Sequence, residues 1–214
     1  MARAGLGASE SMRSKLAEYN DPRLSRAFIT KQGTSGKEQA PGTADNAVYA
    51  PNGTPEQGTS KYGTSLFMYS ISAPTLLLSY HELKFLEAEA LCRLERDAKS
   101  ALKDAVVAGL LNAENSFTIS RKELGKTLIN AASSITEAEA ESYFDNTIEA
   151  KYTAEPLKTT MTQKYFALWG ASGEATESYN DVRRMKGLGE NFIELKNPNS
   201  FPLRCPYGNS DTTT

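Results

Sequence analysis

The chain has 214 residues, of which 39% are hydrophobic, enough for one or two domains with a real core. Lys and Arg number 24 against 26 Asp and Glu, a net charge of −2 that leaves no basic footprint for nucleic acid. Two cysteines and one histidine exclude a Cys/His metal cluster, and no apolar run approaches the ~20 residues that span a bilayer.

Residues 1–29 are polar. Met1 to Gly7 has no apolar run of the kind a secretory signal needs. Ser9 to Tyr19 has helical periodicity, and Asn20-Asp21-Pro22 stops it, because a residue before proline disfavours the helical region. Residues 30–65 hold six of the 15 glycines and three of the nine prolines and read as a long loop, a kind of segment that is usually functional or mobile. Leu66 to Ser72 alternates weakly, which predicts a short strand or an extended segment.

From Ser79 onward the pattern is helical. Tyr80–Leu94 carries a stripe of Leu83, Leu86, Ala90 and Leu94, and 98–111 a stripe of Leu102, Ala105, Val106 and Leu110 behind an Asp97 cap. Ser120 to Glu123 is a capping-box sequence that predicts a new helix through Leu124, Leu128 and Ala131. Thr136 to Glu139 is a second, leading into Ala140, Phe144 and Ile148. Thr153 is read as the cap of a helix with Pro156 in its first turn, carrying Leu157, Met161, Tyr165 and Leu168 as far as Gly170. A last helix covers about 174–186, with Gly187 placed to end it, and 197–214 is polar coil. Six helices with short breaks predict an all-α fold of tetratricopeptide-like helix pairs with long irregular loops. The expected organisation is a loop-rich segment at 1–78 with one short helix and a helical scaffold at 79–214, both parts of one larger domain.

No catalytic constellation stands out. The 26 acids fall mostly on polar helix faces, so a carboxylate pair carries no signal. His81 at a helix start is read as locally hydrogen-bonded, with a general base as the rival reading. Gly187-Leu188-Gly189 follows a helix and does not open one, so it cradles no phosphate. Asn52-Gly53-Thr54 fits a glycosylation pattern but reads first as a turn. Cys92 reads as a small buried hydrophobe and Cys205 lies in coil; a bridge between them needs Cα atoms within about 7 Å. Ten Tyr, eight Phe and one Trp are the more telling inventory. A sugar ring needs a flat π-face with amides and acids nearby. Tyr49, Asn52 and Tyr62, in the long loop, are the candidate ligand-binding residues, set against the plainer reading that the tyrosines pin the loop to the helices. Trp169 reads as core.

Six ordered strings then carry a resemblance: Asn20-Asp21-Pro22-Arg23-Leu24; Tyr49-Ala50-Pro51-Asn52-Gly53; Ser79 to Ala90; Met161 to Leu168; Tyr179-Asn180-Asp181-Val182-Arg183-Arg184; and Phe201-Pro202-Leu203-Arg204. Together they resemble the C-terminal half of a SusD/RagB-like nutrient-binding outer-membrane lipoprotein, from about residue 12 to the end. The resemblance implies a helical scaffold, a lipid anchor not in this chain, and surface exposure on the outer membrane. It also implies a TonB-dependent transporter as partner, an oligosaccharide or peptide ligand, no cofactor and no catalysis. Family members are typically more than twice this length, so the chain is expected to be a fragment whose severed helix faces would expose apolar patches. These strings are expected to hold helices together: Asp181 and Arg184 as an intrahelical pair, and Arg183 as a tie to the coil at 197–208. A helical-repeat module that binds peptide or protein is the alternative from another class.

Overall fold

The computed structural model describes residues 7–31, 38–39, 49–53, 62–69, 71–124 and 133–196. Helix α1, Glu10–Glu18, starts because Ser9 is extended and its hydroxyl accepts the Met12 amide at 3.1 Å. It buries Met12 and Leu16, and the chain leaves it through Asn20 at φ 49°, a left-handed conformation that Asn tolerates better than most residues.

A small antiparallel sheet follows. Strand β1 (Phe28–Lys31) lies between β2 (Glu38–Gln39) and β3 (Thr64–Ser65). The short strand or extended segment expected from Leu66 to Ser72 does not begin there, because the extended chain ends at Ser65. The Leu66 amide makes the last bond, to the Ala27 carbonyl at 2.7 Å, and Leu66–Tyr69 turns into a 3-10 helix that seats Leu66 in the core. Strands of two to four residues are too short to show alternation, so they do not stand out in the sequence.

Helix α2 (Tyr80–Arg93) is capped by Ser79, whose hydroxyl accepts the Glu82 amide at 3.1 Å. Its predicted inward stripe faces the other way. Leu83 and Leu94 are 52% and 66% exposed, while His81, Glu82, Phe85, Ala88 and Glu89 are buried. The helix has two faces able to pack, and periodicity selects the one with the larger aliphatics; α3 and α6 cover the other.

Helix α3 (Lys99–Leu124) runs straight through the predicted start at Ser120. Ser120 is fully buried, with its hydroxyl 2.8 Å from the Ser116 carbonyl and 2.6 Å from the Leu66 carbonyl. A serine hydroxyl satisfied by a carbonyl one turn back does not cap. Leu128 and Ala131 lie outside the described residues. At the other end Asp97 accepts the Lys99 amide at 3.0 Å, as expected of a residue at a helix start.

Helix α4 (Glu137–Tyr143) is capped by Thr136, as its sequence predicts, and passes through a π turn (Phe144–Ile148) into α5 (Glu149–Ala154). Thr153 is no cap: its hydroxyl donates to the Glu149 carbonyl at 2.9 Å inside α5. The break falls at Glu155 (φ −143°, ψ 78°), pushed out of the helical region by Pro156 at the first position of α6 (Pro156–Leu168). A 3-10 turn (Ser172–Thr176) leads into α7 (Glu177–Gly187). The left-handed stop is Gly189 at φ 75°, two residues beyond the expected one, with the Glu190 amide reaching back to the Met185 carbonyl at 2.8 Å.

The fold is thus all-α, in helix pairs, with a minor sheet. Its core gathers Phe85, Leu102, Leu110, Phe117, Phe144, Ile148 and Phe166 with Leu16, Ile29 and Leu66. A Cβ on Gly109 would lie 3.0 Å from the Ala167 Cβ, so glycine there lets α3 and α6 approach closely. An aromatic row ties sheet to helices: Phe28 to Trp169 at 5.3 Å, Trp169 to Phe67 at 5.0 Å and Phe67 to Phe117 at 4.8 Å. Trp169 packs against the core, as read from its position at the end of an apolar face.

Candidate functional site

The recurrent strings meet one another inside the protein. Arg23 and Asp21 form a buried ion pair at 2.6 Å; Arg23 also donates to the Phe166 carbonyl at 2.8 Å, and the Tyr143 hydroxyl donates to Asp21 at 3.3 Å. Lys164 of α6, 2% exposed, pairs with Asp181 of α7 at 2.8 Å. Arg184 bonds Asp181 at 2.7 Å and Glu89 of α2 at 2.8 Å. Glu89 also takes Arg93 at 2.7 Å, and Arg93 reaches Glu190 at 2.9 Å. The expected Asp181–Arg184 pair is therefore one link of a network across α2, α6 and α7. Arg183 lies over the Tyr179 ring at 5.7 Å; residues 197–208, its expected partner, and Cys205 are outside the described residues.

His81 is buried, with its Nε2 3.3 Å from the Ser79 hydroxyl and 3.5 Å from Glu174. Both neighbours sit on the same ring nitrogen, so Glu174 does not orient the imidazole toward Ser79 in the manner of a relay. Burial lowers the His81 pKa, partly offset by Glu174. Beside it, burial and a hydrogen bond to Glu174 push the Glu82 carboxyl up to about 7. A cleft of about 490 Å³ opens here, lined by Glu82, Glu89, Arg93, Lys164, Glu177, Asp181 and Arg184 among others. Most of these charges are already spent on one another, so the cleft reads as a joint between helices.

The larger opening is a groove of about 870 Å³ along α1, lined by Glu10, Ser11, Ser14, Lys15 and Glu18, by Pro51 and Asn52, and by Glu194, Leu195 and Lys196. Three segments converge at its head: the Ala8 amide bonds the Gly63 carbonyl at 2.7 Å and the Ala50 amide bonds the Ala8 carbonyl at 2.8 Å. The three candidate residues sit on two of these segments. Asn52 lines the groove, and its Oδ1 accepts the Ser9 hydroxyl at 2.9 Å and the Ser11 amide at 3.2 Å. Gly53 at φ 71° completes the turn. Tyr49 is half-buried, edge-on to Phe28 at 5.3 Å, with the Arg13 guanidinium 5.6 Å from its ring centre. Tyr62 is half-buried just before β3. Tyr49 and Tyr62 are not among the groove-lining residues. Within the groove, burial lowers the Lys15 pKa, and its ammonium donates to Ser11 at 2.9 Å. Lys196 pairs with Glu194 at 2.6 Å.

A third pocket, of about 240 Å³, is lined without any charged side chain, by Phe67, the 73–76 segment, Asn112, Asn115, Ser116 and residues 170–172. A Cβ on Gly170 (φ 79°) would lie 2.3 Å from the Phe67 ring, and one on Gly173 2.5 Å from the Leu76 carbonyl. Both glycines therefore admit the pocket walls. Sequence reasoning missed Asn112 and Asn115, because amides on a helix read as solvated face; the one available signal was Gly170 and Gly173 flanking a predicted helix end. Among the described residues no group of three or more His, Cys, Asp or Glu is placed to hold a metal ion, and no helix is long and apolar enough to cross a membrane.

A family model described as SusD-like, starch-binding and associating with the outer membrane, matches residues 2–207. The crystal structure of a SusD/RagB family protein from Bacteroides thetaiotaomicron is 62% identical, with a TM-score of 0.89. That match covers 98% of this chain and 45% of the other, so the chain spans less than half the length of the solved protein. No curated protein sequence matches.

Proposed function

Since the chain belongs to the SusD-like family, we propose that it contributes to non-catalytic capture of a hydroxyl-rich nutrient, an oligosaccharide, at the outer-membrane surface. The observation that carries this reading, beyond family membership, is the α1 groove. Its volume of about 870 Å³ lies within the range of small-ligand sites. Its walls offer serine hydroxyls, the Asn52 amide, carboxylates and an ammonium, a mixed set of acceptors and donors suited to vicinal hydroxyls. Tyr49 and Tyr62 stiffen the head of the groove, and Asn52 meets the ligand at its mouth. In this reading the whole protein is lipid-anchored, exposed on the cell surface, and hands its cargo to a TonB-dependent transporter.

Calorimetric titration with maltooligosaccharides tests the binding step. The expected result is weak saturable binding, reduced by Lys15→Ala with Glu18→Ala while circular dichroism is unchanged. Heat from peptides but none from any oligosaccharide would favour the peptide-binding alternative; turnover of a glycan by the pure protein would refute non-catalytic capture.

A further inference from the structure

The uncharged pocket of about 240 Å³ lies between α3, the 73–76 segment and the turn that follows α6, and it shares no lining residue with the α1 groove. Its polar wall is one face of α3. Asn115 and Ser116 follow Asn112 by three and four residues, so the three side chains share that face. Ser116 is 8% exposed, Asn112 is half-buried and Asn115 is exposed. Among the described residues, none of these three side chains has a hydrogen-bond partner. Polar groups in a concave wall are normally paired; two amides and a hydroxyl left open offer a ligand both donors and acceptors.

The segment from 71 to 79, which supplies another wall, is pinned at both ends by a carboxylate. Glu123 accepts the Ile71 amide at 2.8 Å and the Ser72 amide at 3.0 Å. Glu174 accepts the Ser79 hydroxyl at 2.9 Å and the Ser79 amide. Between these ends, the Leu76 carbonyl lies so close to Gly173 that a Cβ there would be 2.5 Å away. Three fixed points hold this wall in place, so ligand binding has little of it left to order. Phe67, Pro74 and Leu76 add apolar surface to the lining.

We propose that this pocket binds one neutral sugar ring, as a site separate from the α1 groove. Its volume holds about eight waters, room for a single ring and not for a chain of them. A sugar ring has C–H surface for Phe67 and Pro74 and hydroxyls for the two amides and Ser116. A charged ligand would lose its hydration with no opposite charge in the lining to offset the loss. A purely apolar ligand would leave the amides unpaired under it. The proposal stands on this lining alone, so it does not depend on what the α1 groove binds.

The test is an NMR titration of the isotope-labelled chain with methyl α-glucopyranoside and methyl β-galactopyranoside. Saturable shifts of the Asn112 and Asn115 side-chain amides are expected with at least one of them, at a Kd in the millimolar range. Asn112→Ala with Asn115→Ala, followed by the backbone amides of α3, should weaken binding by about tenfold or more. That variant should keep the wild-type helical dichroism, since neither amide holds another described side chain and alanine is the better helix former. The corresponding methyl glycosides of glucuronic and galacturonic acid should bind about tenfold more weakly at neutral pH. No saturable shift with either neutral glycoside, equal binding of the charged ones, or binding indifferent to the asparagine variant would overturn the proposal. Binding lost in Lys15→Ala with Glu18→Ala but kept in the asparagine variant would place the sugar in the α1 groove and overturn it as well. Pocket shifts that persist while oligosaccharides give no heat would support this site and refute the groove.

Discussion

Replacing Glu82 by Gln is expected to stabilise the fold above neutral pH and to leave it nearly unchanged near pH 4.5. Burial, the hydrogen bond with Glu174 and the charge of Glu174 hold the Glu82 carboxyl up at about 7, against the opposing ammonium of Lys164 and with Glu177 adding to the rise. Between about pH 4.5 and 7 the unfolded chain loses this proton and the native chain keeps it. The native state then binds more protons, so stability falls as pH rises; the contribution is complete below about 4.5 and gone above about 7. A shift of that size is worth at most about 3 kcal/mol, and because Glu82 lines a solvent-open cleft we expect about 1–3 kcal/mol. Glutamine mimics the protonated acid and does not titrate. His81 acts in the opposite sense: its pKa is lowered, so its cost appears as pH falls, and it cancels when variant and wild type are compared at one pH. Urea unfolding at pH 4.5, 6 and 8 measures the difference, which should grow with pH and appear as a melting rise of about 2–10 °C at pH 8. A difference that is the same at all three pH values would refute the reasoning.

Two further substitutions follow from the same structure. Asp21→Ala strands the buried Arg23 guanidinium and should cost about 3–5 kcal/mol in urea unfolding, far more than a surface acid would. Gly170→Ala should cost about 2 kcal/mol or more, since φ is 79° and the new Cβ would strike the Phe67 ring; a melting temperature within a degree of wild type would show that the ring gives way.

Local chemistry settled much of this protein before any packing is considered. Serine ahead of α1, threonine ahead of α4, Pro156 at the start of α6 and Gly170 after it act within a single turn, and the helices form where those signals place them. The recurrent strings marked the family in the same way, one short stretch at a time. What the chain could not announce is which partner each face would meet. Helix α2 had two faces able to pack, and the cover of α3 and α6 over Phe85 and Ala88, with Glu174, Lys164 and Arg184 on neighbouring elements, makes its His81, Glu82 and Glu89 side the inner one. Ser120 could have capped a helix, but the Leu66 carbonyl, 54 residues away in sequence, helps hold it inside one. Asn52 could have been purely a turn residue, yet folding sets its carbonyl oxygen on the first turn of α1 and its side chain on the wall of a groove built from both ends of the described chain. Hydrogen bonds along one turn depend on neighbours in sequence; burial and grooves depend on neighbours in space, and those exist only once the chain is folded.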